Sequence, residues 1–140
     1  MRYKFRGKRK DTGEWVYGYL IDEDVICQGI TFDDYGDIIA YKPVQVFPET
    51  VGQWTGFLDE KGEEVYEGDI LLTQIAGETY KVEVFWNEEL GCWDMRDDED
   101  LSYFDIYRGL SPFQTHDYEI IGNIHDNPEL LEGGEDEQTQ

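Results

Sequence analysis

The strongest constraint on what this 140-residue chain can fold into is an alternation of residue types between residues 79 and 87. Every second position in that segment carries a large apolar side chain; these positions are Tyr80, Val82, Val84 and Trp86. The same period occurs near the start of the chain, at Trp15, Tyr17, Tyr19 and Ile21. Neighbouring side chains of a β-strand point to opposite faces of the sheet, so a period of two residues is typical of a half-buried strand. The pattern predicts a mainly β protein.

Turn signals divide the first third of the chain into short strands. A first strand, in which Tyr3 and Phe5 alternate with basic residues, is followed by Asp-Thr-Gly at residues 11–13, which is typical of a tight turn. Two further strands are predicted at residues 25–27 and 37–41. The sequence therefore predicts an N-terminal β-hairpin that extends into a meander.

Two prolines mark the end of this first part. Because proline cannot donate to a central hydrogen-bond ladder, Pro43 and Pro48 are expected to interrupt the strand pattern. Residues 47–54 are predicted to connect the two halves of the chain. The first subdomain is therefore assigned to residues 1–46.

The second half begins with another predicted hairpin, residues 54–66, which turns at the polar segment 59–62. A Gly-Asp pair then leads into an apolar strand, as in the first strand of SH3-like small barrels. We therefore expect residues 47–126 to form a small, partly open SH3-like β-barrel, an analogy of fold that carries no function. The residues expected to shape its turns, by positive φ, close backbone approach, a turn hydrogen bond or a bulge, are Gly52, Gly62, Gly68, Asp69 and Gly122.

The last residues, 127–140, are predicted to hold one short helical turn and an acidic tail. Asn127 suits the helix N-cap, Pro128 the first helical position and Glu129 the positive end of the helix dipole. Residues 133–140 contain no apolar side chain, so they are predicted to be disordered.

One segment, residues 97–109, fits either a short helix or an irregular loop, because its apolar residues recur every three positions. The fold class is accordingly mainly β, or α+β at most. Residues 1–131 are expected to form one compact unit.

The formal net charge of −22 limits the possible partners. Nucleic acid and anionic membrane surfaces would be repelled, so we expect neither direct nucleic-acid binding nor membrane association. The charge is unevenly placed, since six of the 11 basic residues lie within residues 1–10, which hold no acidic residue. On an alternating strand, four of these form one row: Arg2, Lys4, Arg6 and Lys8. This row is predicted to contact carboxylates of this chain, of a second copy or of a partner.

Candidate chemistry is sparse in the sequence. Cys27 and Cys92 form no Cys-x-x-Cys pair and are expected to be buried thiols rather than a disulfide. His116 and His125 lack the close spacing of a zinc site. Neither Ser102 nor Ser111 lies in a Gly-x-Ser-x-Gly motif. We expect no catalytic, cofactor-binding or metal-binding residues, and no enzyme activity. No apolar segment follows the basic N-terminus, so we expect no secretory leader and a cytoplasmic protein.

Three longer segments carry a family resemblance. Residues 47–56 read FPETVGQWTG, residues 59–70 read DEKGEEVYEGDI and residues 118–131 read YEIIGNIHDNPELL. Together with Lys4-Phe5-Arg6 they resemble the YopX family of small proteins encoded by bacteriophages and prophages, over residues 1–131. The resemblance implies a phage or prophage origin, the cytoplasm of a bacterial host and a mostly β fold. It implies no catalytic residues.

The function predicted from these features is that of a phage accessory protein of unknown biochemical activity, which acts by binding a protein of host or phage origin. The alternative is an acidic DNA mimic that occupies the DNA site of a host protein. A second alternative is an uncharacterised enzyme or metal-binding protein. A homo-oligomer is a further possibility, because the edge strands of the hairpins and a basic row on an acidic protein allow two copies to pair.

Overall fold

Ten β-strands and two single-turn 3₁₀ helices form the part of the chain that the computed structural model describes, namely residues 4–75, 77–97, 113 and 117–132. The strands are β1 (Phe5–Lys8), β2 (Trp15–Asp22), β3 (Val25–Phe32), β4 (Ile38–Gln45), β5 (Gly52–Leu58), β6 (Glu64–Tyr66), β7 (Asp69–Ile75), β8 (Glu78–Asn87), β9 (Cys92–Arg96) and β10 (Tyr118–Asn123). The 3₁₀ helices are Pro48–Thr50 and Pro128–Leu130. The mainly β fold predicted from the alternation is confirmed.

The chain divides into two compact units, Met1–Trp54 and Thr55–Gln140. The predicted division into residues 1–46, 47–126 and 127–140 stays a prediction. The ambiguous segment after residue 97 and the predicted disordered tail, residues 133–140, lie outside the described residues.

The first unit is an antiparallel meander in the order β4-β3-β2-β1, with the start of β5 on the far side of β1. The predicted first hairpin is present: Arg6 pairs with Tyr17 and Lys8 with Trp15. Its turn contains Gly13, whose φ of 78° is accessible to glycine at no steric cost. The side chains buried at the centre of this unit are Val16, Ile26 and Val46, packed against Phe5, Leu20, Val44 and Val51.

The prediction that Pro43 interrupts the strand pattern is wrong, because β4 continues through it to Gln45. Val46 donates its N–H to the carbonyl of Asp24, the residue before β3. In an antiparallel ladder the backbone groups of successive residues point alternately toward and away from the partner strand, so those of Gln45 point away from β3. The Gln45 carbonyl there accepts a hydrogen bond from the N–H of Lys10. Pro43, two residues earlier, faces the same outer side, where the β3 ladder requires no donor. Proline is therefore tolerated in this outermost strand of the meander.

The second unit contains a four-stranded antiparallel sheet in the order β10-β7-β8-β9, and β6 lies beside β5. Leu71 pairs with Val82 and Val84 with Met95, which brings these fully buried side chains together. Phe113 completes this core by stacking on Phe57, with ring centroids 4.8 Å apart. The antiparallel sheet agrees with the predicted fold class, and its closure into an SH3-like barrel stays a prediction.

The predicted C-terminal helical turn is present as the 3₁₀ helix Pro128–Leu130, with Asn127 at the N-cap position. The predicted side-chain cap is wrong, because Asn127 makes no capping hydrogen bond. Its Oδ1 instead accepts a hydrogen bond of 3.3 Å from the N–H of Asn123. The side chain thereby ties the turn to the end of β10 rather than to the helix.

Candidate interaction surface

The basic row predicted from the sequence lies over tryptophan rings. The guanidinium carbon of Arg6 lies 4.6 Å from the centre of the Trp15 ring. The Nζ atom of Lys8 lies 5.5 Å from the same ring, and that of Lys4 lies 6.0 Å from the Trp54 ring. These distances are those of cation–π interactions, which the negative face of the aromatic ring favours. Arg2 lies outside the described residues.

Burial decides what this row can do. Arg6 is only 5% exposed, and Lys4 and Lys8 are half-buried. Arg6 is therefore a packed element of the sheet and presents little charge to solvent. The partner contact through the row stays a prediction, and of the described members of the row Lys4 and Lys8 are the more exposed. Charge alone could not reveal this, because the register that places Trp15 beside the row is set by pairing between strands.

A stripe of exposed apolar side chains lies next to the row on β2. Because Arg6 pairs with Tyr17, Tyr17 and Tyr19 share the face of the basic row, and Ile21 follows at a register shift between β2 and β3. Tyr17, Tyr19 and Ile21 are 45%, 46% and 50% exposed. We call these three residues the β2 stripe. The sequence showed their alternation, but the opposite face of β2 supplies the buried Val16 and Gly18. The stripe was therefore not predicted as a surface.

A second group of exposed apolar side chains lies where β3 turns into β4. Phe32, Tyr35, Ile38 and Ile39 are 59%, 90%, 59% and 66% exposed. We call residues 32–39 the β3–β4 tip. The sequence predicted strands at residues 25–27 and 37–41, so Phe32 and Tyr35 fell between the predicted strands.

The turn residues predicted in the second half occupy different positions. Gly62 and Gly68 have φ values of 83° and 90°, which only glycine adopts easily. The buried carboxylate of Asp69 accepts a 2.7 Å hydrogen bond from the N–H of Tyr66. Gly122 lies at a register shift between β10 and β7, which is a bulge. Gly52 lies at the start of β5, opposite Arg6, rather than in a turn.

One residue of structural weight was read from the sequence only as part of a turn. The carboxylate of Asp59, 7% exposed, accepts hydrogen bonds from the backbone N–H groups of Lys61, Glu63 and Ile120. Burial raises the pKa of Asp59, but these bonds and the charge of Lys61 lower it by more, so the pKa lies below its usual value. Asp59 therefore stays ionised and holds the β5–β6 turn against β10.

Only some of the residues considered for chemistry lie within the described ranges. Within the described ranges there is no group of three or more His, Cys, Asp or Glu side chains placed to hold a metal ion. Cys27 is a buried thiol and Cys92 a half-buried one. His116, Ser102 and Ser111 lie outside those ranges. None of the helices described is long and apolar enough to cross a membrane.

The protein is a small β protein with two antiparallel β units. Its most distinctive feature is the exposed apolar side chains of the first unit. The chain matches the YopX protein family over residues 4–132 and belongs to that family. The structure is similar to the crystal structure of protein EF1440 from Enterococcus faecalis, at 24% sequence identity and a TM-score of 0.55. That likeness covers 93% of this chain and 98% of the other, and it shows the fold. No curated protein matches the chain.

Proposed function

We propose that this protein is a phage- or prophage-encoded accessory protein, not an enzyme, that acts by binding another protein in the cytoplasm of a bacterial host. The observation that carries the proposal is the concentration of exposed apolar side chains in the first unit. Eleven large apolar side chains are exposed among those whose burial the structure describes, and eight of them lie there. Contiguous exposed apolar surface marks interaction sites more often than isolated apolar residues do.

The β2 stripe has the composition of a protein interface. Tyrosine combines a large rigid ring with a hydroxyl group, which is why tyrosine is enriched where proteins bind one another. The strand below Tyr17 and Tyr19 is held by pairing with β1, and Arg6 packs on Trp15 at its start. A surface that is already ordered before binding loses less conformational entropy on association.

Family membership supports the proposed origin. The family match spans residues 4–132, which contain the three segments on which the resemblance to phage and prophage proteins rests. The basic row adds a polar contact beside the stripe, through Lys4 and Lys8. A homo-oligomer is part of the proposal, and light scattering after size-exclusion chromatography tests it.

The test is a size-resolved pull-down from host lysate with matched variants. The stripe variant combines Tyr17→Ser with Tyr19→Ser. The control combines Leu58→Ser with Leu90→Ser, two side chains of the second unit that are 51% and 44% exposed. We expect the wild type and the control to retain one discrete protein at constant stoichiometry, and the stripe variant to lose it. Equal retention by all three, or turnover of small substrates with no retained protein, would contradict the proposal.

Competition experiments on the captured complex distinguish the proposed function from the alternative of an acidic DNA mimic. Duplex DNA should displace a mimic from its target, and salt of about 0.5 M should weaken the complex steeply, because the binding of a mimic is mostly electrostatic. Binding through apolar side chains withstands both. Displacement by DNA would therefore favour mimicry over the proposed function.

A further inference from the structure

The large apolar side chains of the β3–β4 tip are all exposed. Ile38 and Ile39 lie at a register shift between β4 and β3, and both are more than half exposed. Phe32 pairs with Ile38 across the hairpin and is exposed to the same extent. The tip therefore presents four exposed large apolar side chains within residues 32–39.

The turn at the end of the tip is closed by hydrogen bonds. Asp33 Oδ1 accepts bonds of 2.9 Å from the N–H groups of Tyr35 and Asp37. The N–H of Asp33 donates to the Asp37 carbonyl at 2.8 Å, and the N–H of Gly36 donates to the Asp33 carbonyl at 3.1 Å. Gly36 has a φ of 84°, which permits the tight return of the chain. This ordered turn holds Tyr35, with 90% of its surface exposed, at the end of the hairpin.

The charge around the tip selects the kind of partner. Residues 31–39 contain Asp33, Asp34 and Asp37 and no basic residue. Nucleic acid would be repelled by these carboxylates. A second copy of the chain would bring the same three charges and a net charge of −22 of its own. Complementarity requires a surface that is basic at its rim and apolar at its centre.

We infer that the β3–β4 tip is the recognition element of this protein, and that it inserts into an apolar recess with a basic rim on a partner protein. Tyr35, at the end of the hairpin, enters the recess first. Phe32, Ile38 and Ile39 pack against its apolar wall, and the aspartates face the basic rim. A projecting aromatic residue on an ordered loop is a typical energetic anchor of protein interfaces. The inference rests on the proposed function and names the partner's chemistry.

The test uses a defined probe on the full chain: a helical peptide of leucine and lysine, with a leucine–glutamate peptide of the same pattern as its control. Backbone amide chemical shifts of the ¹⁵N-labelled protein report where each peptide binds. We expect the lysine peptide to shift residues 32–39 saturably and to bind at least about tenfold more tightly than the glutamate peptide. Shifts scattered over the acidic surface, or centred elsewhere, would overturn the inference.

Variants then test whether the tip carries the binding. Tyr35→Ser combined with Ile39→Ser should weaken the binding of the lysine peptide by about tenfold or more, whereas the control Leu58→Ser with Leu90→Ser should leave its affinity unchanged. All four side chains are exposed, so the spectra of both variants should show the fold intact. Unchanged affinity in the tip variant contradicts the inference.

The tip variant and the stripe variant together keep the two proposals distinguishable. If the tip variant still captures the lysate protein and the stripe variant does not, the recognition role of the tip is wrong and the proposed function stands. If the tip binds the peptide as expected but no protein is captured, the proposed function is wrong and the surface chemistry of the tip stands.

Discussion

The carboxylate of Asp59 accepts a hydrogen bond of 3.1 Å from the backbone N–H of Ile120, which lies 61 residues further along the chain. The other oxygen of the same carboxylate accepts two 2.9 Å bonds from its own turn, at Lys61 and Glu63. The N–H of Glu60 adds a 3.0 Å bond to the carbonyl of Tyr118. One buried acidic residue thus closes a local turn and fixes it to β10.

Replacing this carboxylate should be costly. Asp59→Ala leaves three backbone N–H groups without their acceptor in a site that is 7% exposed. We expect the free energy of unfolding to fall by about 3 kcal/mol, measured by denaturant titration. Asp34→Ala, which removes the same charge from an exposed position, is the control and should change stability by less than about 0.5 kcal/mol. An equal loss of stability in the two variants would mean that the removed charge, and not the lost hydrogen bonds, destabilises Asp59→Ala.

The same carboxylate should contribute to acid sensitivity. Its folded pKa lies below the unfolded value of about 3.9, so its contribution to stability is fully present above that pH. The contribution is lost as the pH falls further, through the folded pKa. Asp59→Asn does not titrate, so the stability difference between wild type and this variant should be constant near pH 6 and shrink below about pH 4. Denaturant titrations at a series of pH values measure it. A difference that is independent of pH would show that Asp59 is not held ionised by its hydrogen bonds.

These relationships show which features of the fold the sequence could predict. The alternation of β8 and the turn at Gly13 depend on neighbouring residues, so both were predicted correctly. The end of β4 was misplaced, because the tolerance of Pro43 depends on which edge of the strand faces its partner. That edge is set by pairing with β3, which no local pattern specifies.

The candidate surface was less predictable, for a similar reason. An alternating strand has two faces, and the sequence does not say which one the core covers. Tyr17 and Tyr19 of β2 are exposed because Val16 and the close approach at Gly18 occupy its inner face. The burial of Arg6 likewise follows from its position beside Trp15. Properties that arise from packing between distant segments could not be predicted. The exposure of the β2 stripe and of the β3–β4 tip is among them.

Gly18 should be one of the least replaceable residues of the first unit. A Cβ atom at Gly18 would lie 2.2 Å from the carbonyl oxygen of Cys27 and 2.9 Å from its carbonyl carbon. These are backbone atoms of the neighbouring strand, so relief requires the strands to separate. We expect Gly18→Ala to lower the free energy of unfolding by about 3 kcal/mol, measured by denaturant titration.

Gly29→Ala is the matched control for this prediction, because it lies on β3 and a Cβ atom there would meet no other atom within 4 Å. Its stability should stay within about 0.5 kcal/mol of the wild type. A similar loss in both variants would indicate that the backbone conformation of glycine matters, and not the contact with Cys27.

The stacking of Arg6 on Trp15 predicts a difference between two residues of the basic row that have the same charge. Arg6 is 5% exposed and lies 4.6 Å from its ring, whereas Lys4 is half-buried and lies 6.0 Å from Trp54. A desolvated cation–π contact contributes about 2 kcal/mol, and one at an exposed site about 0.5 kcal/mol. Arg6→Gln should therefore lower the free energy of unfolding by about 2 kcal/mol, and Lys4→Gln by about 0.5 kcal/mol. Both variants lose one positive charge, so long-range repulsion in this acidic protein changes equally. If denaturant titration gives equal losses, the net charge governs the row; if Arg6→Gln alone is destabilised, the packing of its guanidinium on Trp15 does.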